Sequence, residues 1–292
     1  MDPNKKLQVC KETRKIATDA LAKALRKSLR KNRISEKEFR DLWLGELRKN
    51  PKIFPNGWYI PPPNGLIVLF ATVKNPKRVL YPNMRLEETW PRDDVYLDKT
   101  DGILAFYGSP VDKESGIIGD TEVMIYLGNN KEVIKTLKTC IEINREIFEF
   151  VRVGEQFSDV TKFANKLITS RGFTNNILST SDPQSVNIGH TIPATYEDWT
   201  SDERDMLKGG ENEWGKVCQL ISKKRIFVNE AEDFKIEAPM AFTIEPRLRL
   251  KNRPDLPSAW SHSIALFNRN GAKELLFGFE EIYIRSQKTM DY

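Results

Sequence analysis

The feature that most constrains the fold is an order repeated along the chain: two helical patterns, then strands, then two helical patterns and strands again. Residues 5–31 place Ala20, Leu21, Ala24, Leu25 and Leu29 at helical spacing and read as one long amphipathic helix. The capping-box sequence 35-SEKE-38 opens a second helix, expected to bury Phe39, Leu42, Trp43 and Leu47. After a proline-rich turn (Pro51, Pro55, then Pro61 to Pro63), strands are expected at 66–73, 102–111 and 122–128. A helix over 130–151 repeats its apolar residues at Val133, Leu137, Ile141 and Ile147, and another runs over 158–170 and ends at Gly172. Residues 174–224 read as irregular and polar, with a helical piece at 214–222; strands return at 240–248, 262–268 and 274–284. This order implies two similar halves packed as α+β. No linker is long enough to divide the 292 residues, so one domain over 1–292 is expected.

With 39% apolar and 30% charged residues, the chain has the balance of a globular protein with a full core. It has no run approaching the roughly 18 apolar residues of a membrane helix, so no membrane partner is expected. The opening MDPNKKLQVCKETRK lacks the apolar centre of a signal peptide, and a cytoplasmic location is expected. Cys10, Cys140 and Cys218 are too scattered for a disulfide framework or a zinc ribbon and read as reduced, structural thiols. Much of the net charge of +5 lies in 23-KALRKSLRKNR-33. Apolar residues interleave there at helical spacing, so the basic groups form the wet face of a helix and nucleic acid is not expected as a partner.

The chemistry-bearing residues are few. In 241-AFTIEPRLRL-250, Glu245 sits inside an apolar, strand-forming run. Either that strand lies at an edge with Glu245 facing water, or Glu245 points inward at a cation, because carboxylates are rarely buried unpaired. Of only two histidines, His190 lies in the loop 187-NIGHTIP-193 and His262 opens a strand. Asp120 stands at the mouth of a strand in 116-GIIGDTEVMIYLG-128. Alternation in 278-GFEEIYI-284 sends Glu280 and Glu281 to opposite faces.

These segments, GDTEVMIYLG, NIGHTIP, MAFTIEPRL and GFEEIYI, resemble in this order the metal-binding motifs of the pita-bread metallopeptidases: methionine aminopeptidase, aminopeptidase P and prolidase, with creatinase as a relative. FTIEP is the most specific of the four. The resemblance runs from about Lys5 to Ile284 and implies the α+β pita-bread fold, two pseudo-symmetric halves with a curved, mainly antiparallel sheet flanked by helices. It implies an insertion around 194–224, because the interval from His190 to Glu245 runs long. It makes Asp120, His190, Glu245 and Glu280 the metal ligands, a set suited to Mn, Fe, Co or Zn. Glu245 and His190 then carry catalysis on a peptide or small amide substrate, and a homodimer is admitted.

The match also breaks in places. The family has a further aspartate ahead of the one matched by Asp120, serving only a second metal. Here an ungapped match puts Ser109 there, a shifted one Phe106, and Asp112 falls three residues late, so a single divalent ion is expected. Family enzymes also have a histidine upstream of the first aspartate and another where Glu197 stands; residues 1–189 contain none. His262 is a candidate substitute for them in binding substrate. Arg247 is a candidate anchor for a substrate carboxylate, or the salt-bridge partner of a neighbouring acid. The leading expectation is a metal-dependent, aminopeptidase-like hydrolase. The alternatives are a pseudoenzyme that binds peptide or protein on the same fold, and creatinase-like hydrolysis of a small metabolite.

Overall fold

The computed structural model describes residues 1–54, 56–80, 84–175, 182 and 186–279. The chain opens with helix α1 (Pro3–Arg30), capped by the Asp2 carboxylate, which accepts from the Asn4 and Lys5 amides. Helix α2 (Glu36–Leu47) carries the capping box in full: Ser35 Oγ accepts from the Glu38 amide, and the Glu38 carboxylate accepts from the Ser35 amide. A first antiparallel sheet follows in the order β1 (Leu66–Thr72), β2 (Gly102–Gly108), β3 (Thr121–Tyr126). Helices α3 (Lys131–Phe150) and α4 (Phe157–Ser170) come next.

Strands β2 and β3 are buried along their whole length because both faces of their sheet are covered. On one side Leu66, Val68, Phe70, Leu104 and Phe106 pack with Leu21, Leu25, Phe39 and Trp43 of α1 and α2. On the other, Ile67, Leu69, Ile103 and Met124 pack with Val133, Leu137 and Cys140 of α3. The same α3–α4 layer also covers one face of a second sheet, β5 (Met240–Ile244), β8 (Ser263–Phe267) and β9 (Lys273–Leu276), through Phe242, Ala265 and Phe267. The opposite face of that sheet, Ala241, Ile264 and Leu266, meets Leu7 and Cys10 of α1 and Val217 and Ile221 of helix α6 (Trp214–Lys224). A bridge between Val123 and Ser261 joins the two sheets at the point where they meet.

Three local features differ from the sequence expectation. The strand expected at 240–248 is two strands in different sheets: β5 pairs with β8, whereas β6 (Arg247–Leu250) pairs with β4 (Phe173–Asn175) and β7 (Ala259–Trp260). Pro246 has no amide proton for the ladder, so the chain changes sheets there. The stretch read as mostly irregular holds an additional helix, α5 (Ser201–Lys208), started by a Thr200–Glu203 capping box. It buries only Leu207, so it leaves no apolar periodicity to read. The strand expected at 274–284 is β9 up to Leu276; its last part, with Glu280 and Glu281, lies outside the described residues. Among the described residues no helix is long and apolar enough to cross a membrane.

Candidate metal centre

Two strand ends and two loops converge where the sheets join. Asp120 immediately precedes β3, in a register that pairs Gly108 with Thr121 and, farther on, Val111 with Ile118. Gly119 gives it room: a Cβ there would lie 2.5 Å from the Thr13 carbonyl carbon of α1. Glu245 follows the last residue of β5. The His190 loop docks on that strand, with the Thr243 amide donating to the His190 carbonyl at 2.8 Å. This approach requires Gly189, which sits at φ +152° and whose Cβ would come within 2.0 Å of the Thr243 carbonyl oxygen. His262 enters from the start of β8.

Asp120 and His262 are fully buried, His190 is 4% exposed and Glu245 8%. His190 Nε2 lies 3.0 Å from Asp120 Oδ2 and 3.6 Å from Glu245 Oε1, and His262 Nε2 lies 3.8 Å from the same Asp120 oxygen. One ligand atom each from Asp120, Glu245 and His262 falls within 4.8 Å of the others. Both Asp120 oxygens are buried without a hydrogen-bond partner, so the 3.0 Å approach to His190 is a close contact and not an aligned hydrogen bond.

The neighbours assign the state of each ring. His190 Nδ1 lies 2.9 Å from the Thr191 carbonyl, to which it can only donate, so in the neutral ring Nε2 carries the lone pair and faces Asp120. At His262 the relation is reversed. An Arg14 Nη1 lies 3.0 Å from Nδ1, and arginine only donates, so Nδ1 accepts and Nε2 carries the proton. Of the two rings near Asp120, the nearer, His190, thus turns the acceptor nitrogen of its neutral form inward, whereas His262 turns an N–H. Arg14 also donates to the carbonyls of Asp120, His262 and Phe277, tying α1 to both strands of the site. From α3, the Asn144 amide donates to the Ile244 carbonyl at 3.2 Å and the Ser261 carbonyl at 2.8 Å, which holds the Glu245 and His262 segments together. The Thr243 hydroxyl accepts from the His190 amide and donates to Glu245 Oε1, both at 2.8 Å.

Electrostatically, burial dominates at both carboxylates of the centre. Burial, and then the charges of Asp120 and Glu122, push the Glu245 carboxyl well above its ordinary range. Burial acts on Asp120 in the same sense, but the two histidines outweigh it and hold that carboxyl well below. Burial lowers His262 to about 4, against the pull of Asp120. Two carboxylates and an imidazole lone pair aimed at one another fit a divalent cation. Donors about 2.0–2.2 Å from one ion sit roughly 3.0–3.5 Å apart, close to the spacings found here.

A model of the metallopeptidase family M24 matches residues 8–268. The chain belongs to this family. Solved structures similar to this M24 chain include the prolidase from Pyrococcus furiosus, with a TM-score of 0.61 and 13% identity over 94% of this chain and 64% of that one. The X-Pro aminopeptidase from Thermotoga maritima gives a TM-score of 0.57 and 13% identity over 91% and 60%. The methionine aminopeptidase from Rickettsia prowazekii gives 0.60 and 14% over 93% and 96%. The M24 chain thus has the pita-bread fold. It spans about three fifths of the first-matched peptidases, at 60%, 62% and 60% of their lengths. No curated protein matches it by sequence.

The M24 chain brings Asp120, His190, Glu245 and His262 together; Glu280 lies outside the described residues. Arg247 does not join them. Its guanidinium is buried, lies 3.8 Å from the centre of the Trp260 ring and pairs with the buried Glu122 carboxylate. Of the three candidates for the missing aspartate, Phe106 packs against Phe39 in the core and Asp112 accepts from Ser115. Ser109 falls opposite Asp120 in the β2–β3 register, with its buried hydroxyl lacking a hydrogen-bond partner. Glu197 pairs with Lys224 at 3.5 Å. Sequence reasoning missed Arg14 and Asn144, which act from helix faces with no local motif to mark them.

Proposed function

We propose that this chain is a metal-dependent hydrolase of peptide or amide bonds acting near a free N-terminus, with one divalent ion (Mn, Fe, Co or Zn) held by Asp120, His190, Glu245 and Glu280. The observation that carries this is Asp120: a fully buried carboxylate with neither oxygen hydrogen-bonded, facing the Nε2 of His190 at 3.0 Å. Without a cation that arrangement is costly. When bound, such an ion supplies Lewis acidity toward a carbonyl and makes water more acidic. The chain's own residues do the rest. Glu245, oriented by the Thr243 hydroxyl that donates to its Oε1, would accept a proton from the attacking water and return it to the leaving amine. The His262 Nε2–H offers a neutral donor beside Asp120. Ser109 supplies only a neutral oxygen for a second ion, which supports a mononuclear site.

The test is elemental analysis of the purified chain together with turnover of a free-N-terminus peptide library in added metal. Metal content near one per chain with metal-dependent cleavage supports the reading; absence of any divalent ion under metal excess overturns it. A second reading, a peptide-binding module on the same fold, is favoured by the closure of the site, whose described members are all 8% exposed or less. Tight peptide binding without turnover would select it.

A further inference from the structure

Tyr107, in β2, is 5% exposed, and nothing in the reading above uses it. The strand register pairs it with Glu122 and continues to Ser109 opposite Asp120, so Tyr107 stands diagonal to Asp120 on one face of the sheet. Such diagonal neighbours lie about 7–8 Å apart, within reach of an aromatic side chain. Glu122 is engaged by Arg247, and among the described residues the Tyr107 hydroxyl has no hydrogen-bond partner. Tyr59 holds the Tyr107 ring edge-on, with centroids 5.2 Å apart. Tyr59 in turn meets Trp58 at 5.5 Å, and Trp58 meets the His190 ring at 6.3 Å. Aromatic contacts thus connect Tyr107 to His190, as the register connects it to Asp120. We propose that Tyr107 contacts the substrate: its phenol O–H donates to the oxygen of the scissile carbonyl, a bond that strengthens as water attacks and that oxygen becomes anionic. This deepens the metal-dependent hydrolysis proposed above and rests on it.

Three observations support it. A buried tyrosine hydroxyl ordinarily finds a partner within the protein, and this one does not among the described residues, so its proton is available to a ligand. Burial, and then Asp120, Tyr59 and Glu245, keep that proton on the phenol against the opposing pull of Arg225. Tyr107 is therefore a neutral donor, which adds no repulsion toward a cation held by its neighbours. Finally, other donors are scarce: residues 1–189 contain no histidine, and Glu197 pairs with Lys224. A fixed donor aimed at a developing oxyanion is among the largest single contributions to hydrolysis.

The experiment compares wild type with Tyr107→Phe, which keeps the ring and removes only the hydroxyl. The thermal midpoint is measured in EDTA and Mn2+ affinity by calorimetric titration. The Mn2+-loaded proteins are then titrated with the phosphonate analogues of alanine, leucine and methionine, each a free amine beside a tetrahedral oxyanion. Because the hydroxyl bonds nothing in the free protein, the midpoint should hold or rise and Mn2+ affinity should stay within about twofold. The phosphonates should bind about tenfold or more weakly, the loss of a hydrogen bond to a charged acceptor. For any peptide that wild type cleaves, kcat should fall about 10²–10³-fold with KM within about threefold, because the bond strengthens only as the oxyanion forms. A lowered midpoint or weakened Mn2+ binding in Tyr107→Phe makes the hydroxyl structural and overturns the proposal. Failure of Mn2+-loaded wild type to bind any of the phosphonates overturns it too. Wild type that takes up no Mn2+ overturns the metal reading and this proposal with it. Normal Mn2+ uptake with unchanged phosphonate affinity in Tyr107→Phe overturns this proposal alone.

Discussion

Glu122 and Arg247 offer the sharpest test of how the buried charges are arranged. Their side chains are only 3% and 2% exposed, and the guanidinium also lies against Trp260. Glu122→Gln leaves that guanidinium buried and facing a neutral amide. Arg247→Met leaves a third carboxylate near Asp120 and Glu245, whose pKa Glu122 already raises. Breaking a buried pair from one side costs about 3–5 kcal/mol, because the surviving charge has lost both water and partner. At about 2–4 °C per kcal/mol for chains somewhat shorter than this one, each single change should lower the midpoint by roughly 6–20 °C. The double change Glu122→Gln/Arg247→Met removes both charges and should recover most of that loss, giving strong coupling in a double-mutant cycle. Thermal unfolding followed by far-ultraviolet circular dichroism, with KM for any turned-over peptide measured alongside, is sufficient. An Arg247→Met protein with an unchanged midpoint and a raised KM would refute the reasoning and make Arg247 the substrate anchor instead.

The remaining predictions concern the centre itself. Because the folded pKa of Glu245 lies above its unfolded value, the metal-free protein holds that contribution fully below about pH 4.5 and loses it as pH rises through the folded pKa. Divalent metal needs the carboxylate form, so the midpoint gain on adding Mn2+ should widen from about pH 5 to pH 8, and an equal gain at both would contradict the assignment. His262 has the opposite sign: its folded value near 4 lies below the ordinary 6.5, so stability present above that range is lost as pH falls through it. His262→Gln should flatten this acid limb in a pH–midpoint series. Met-Xaa peptides with added Mn, Co, Fe or Zn should turn over slowly. Each absent acid–base histidine forgoes about 10²–10⁴-fold, and rates like those of ordinary methionine aminopeptidases would overturn this.

What was legible in the sequence is what local chemistry writes into consecutive residues. The α2 capping box, the α3 and α4 periodicities and FTIEP were readable because each is complete within a few turns or one strand. The change of sheet at Pro246 was readable in principle, since proline ends a ladder, but the apolar run on either side hid it. Helix α5 was not legible: with one buried residue, it is held by its cap and its neighbours and not by a stripe. Arg14 and Asn144 were invisible for a different reason. Each works at long range across sequence, on a target that only the folded chain brings near.

That long-range contribution sets which nitrogen each histidine turns toward Asp120. Both rings approach the same Asp120 oxygen, and distance alone does not separate their roles. A neutral imidazole has one donor and one acceptor nitrogen, so whatever binds the far side fixes the near side. Behind His190 stands a backbone carbonyl, which demands a proton on Nδ1 and turns a lone pair toward Asp120 and Glu245. Behind His262 stands the Arg14 guanidinium, which can only give protons and so turns an N–H inward. Arg14 is itself held by three carbonyls, two of them from the site's own segments, so it cannot swing away without loosening Asp120 and His262 together. In their neutral forms the two rings thus turn opposite kinds of nitrogen toward a single carboxylate. On the proposed reading, a cation held by Asp120, His190 and Glu245 would not compete with His262, whose Nε2–H would remain at the edge of the same site.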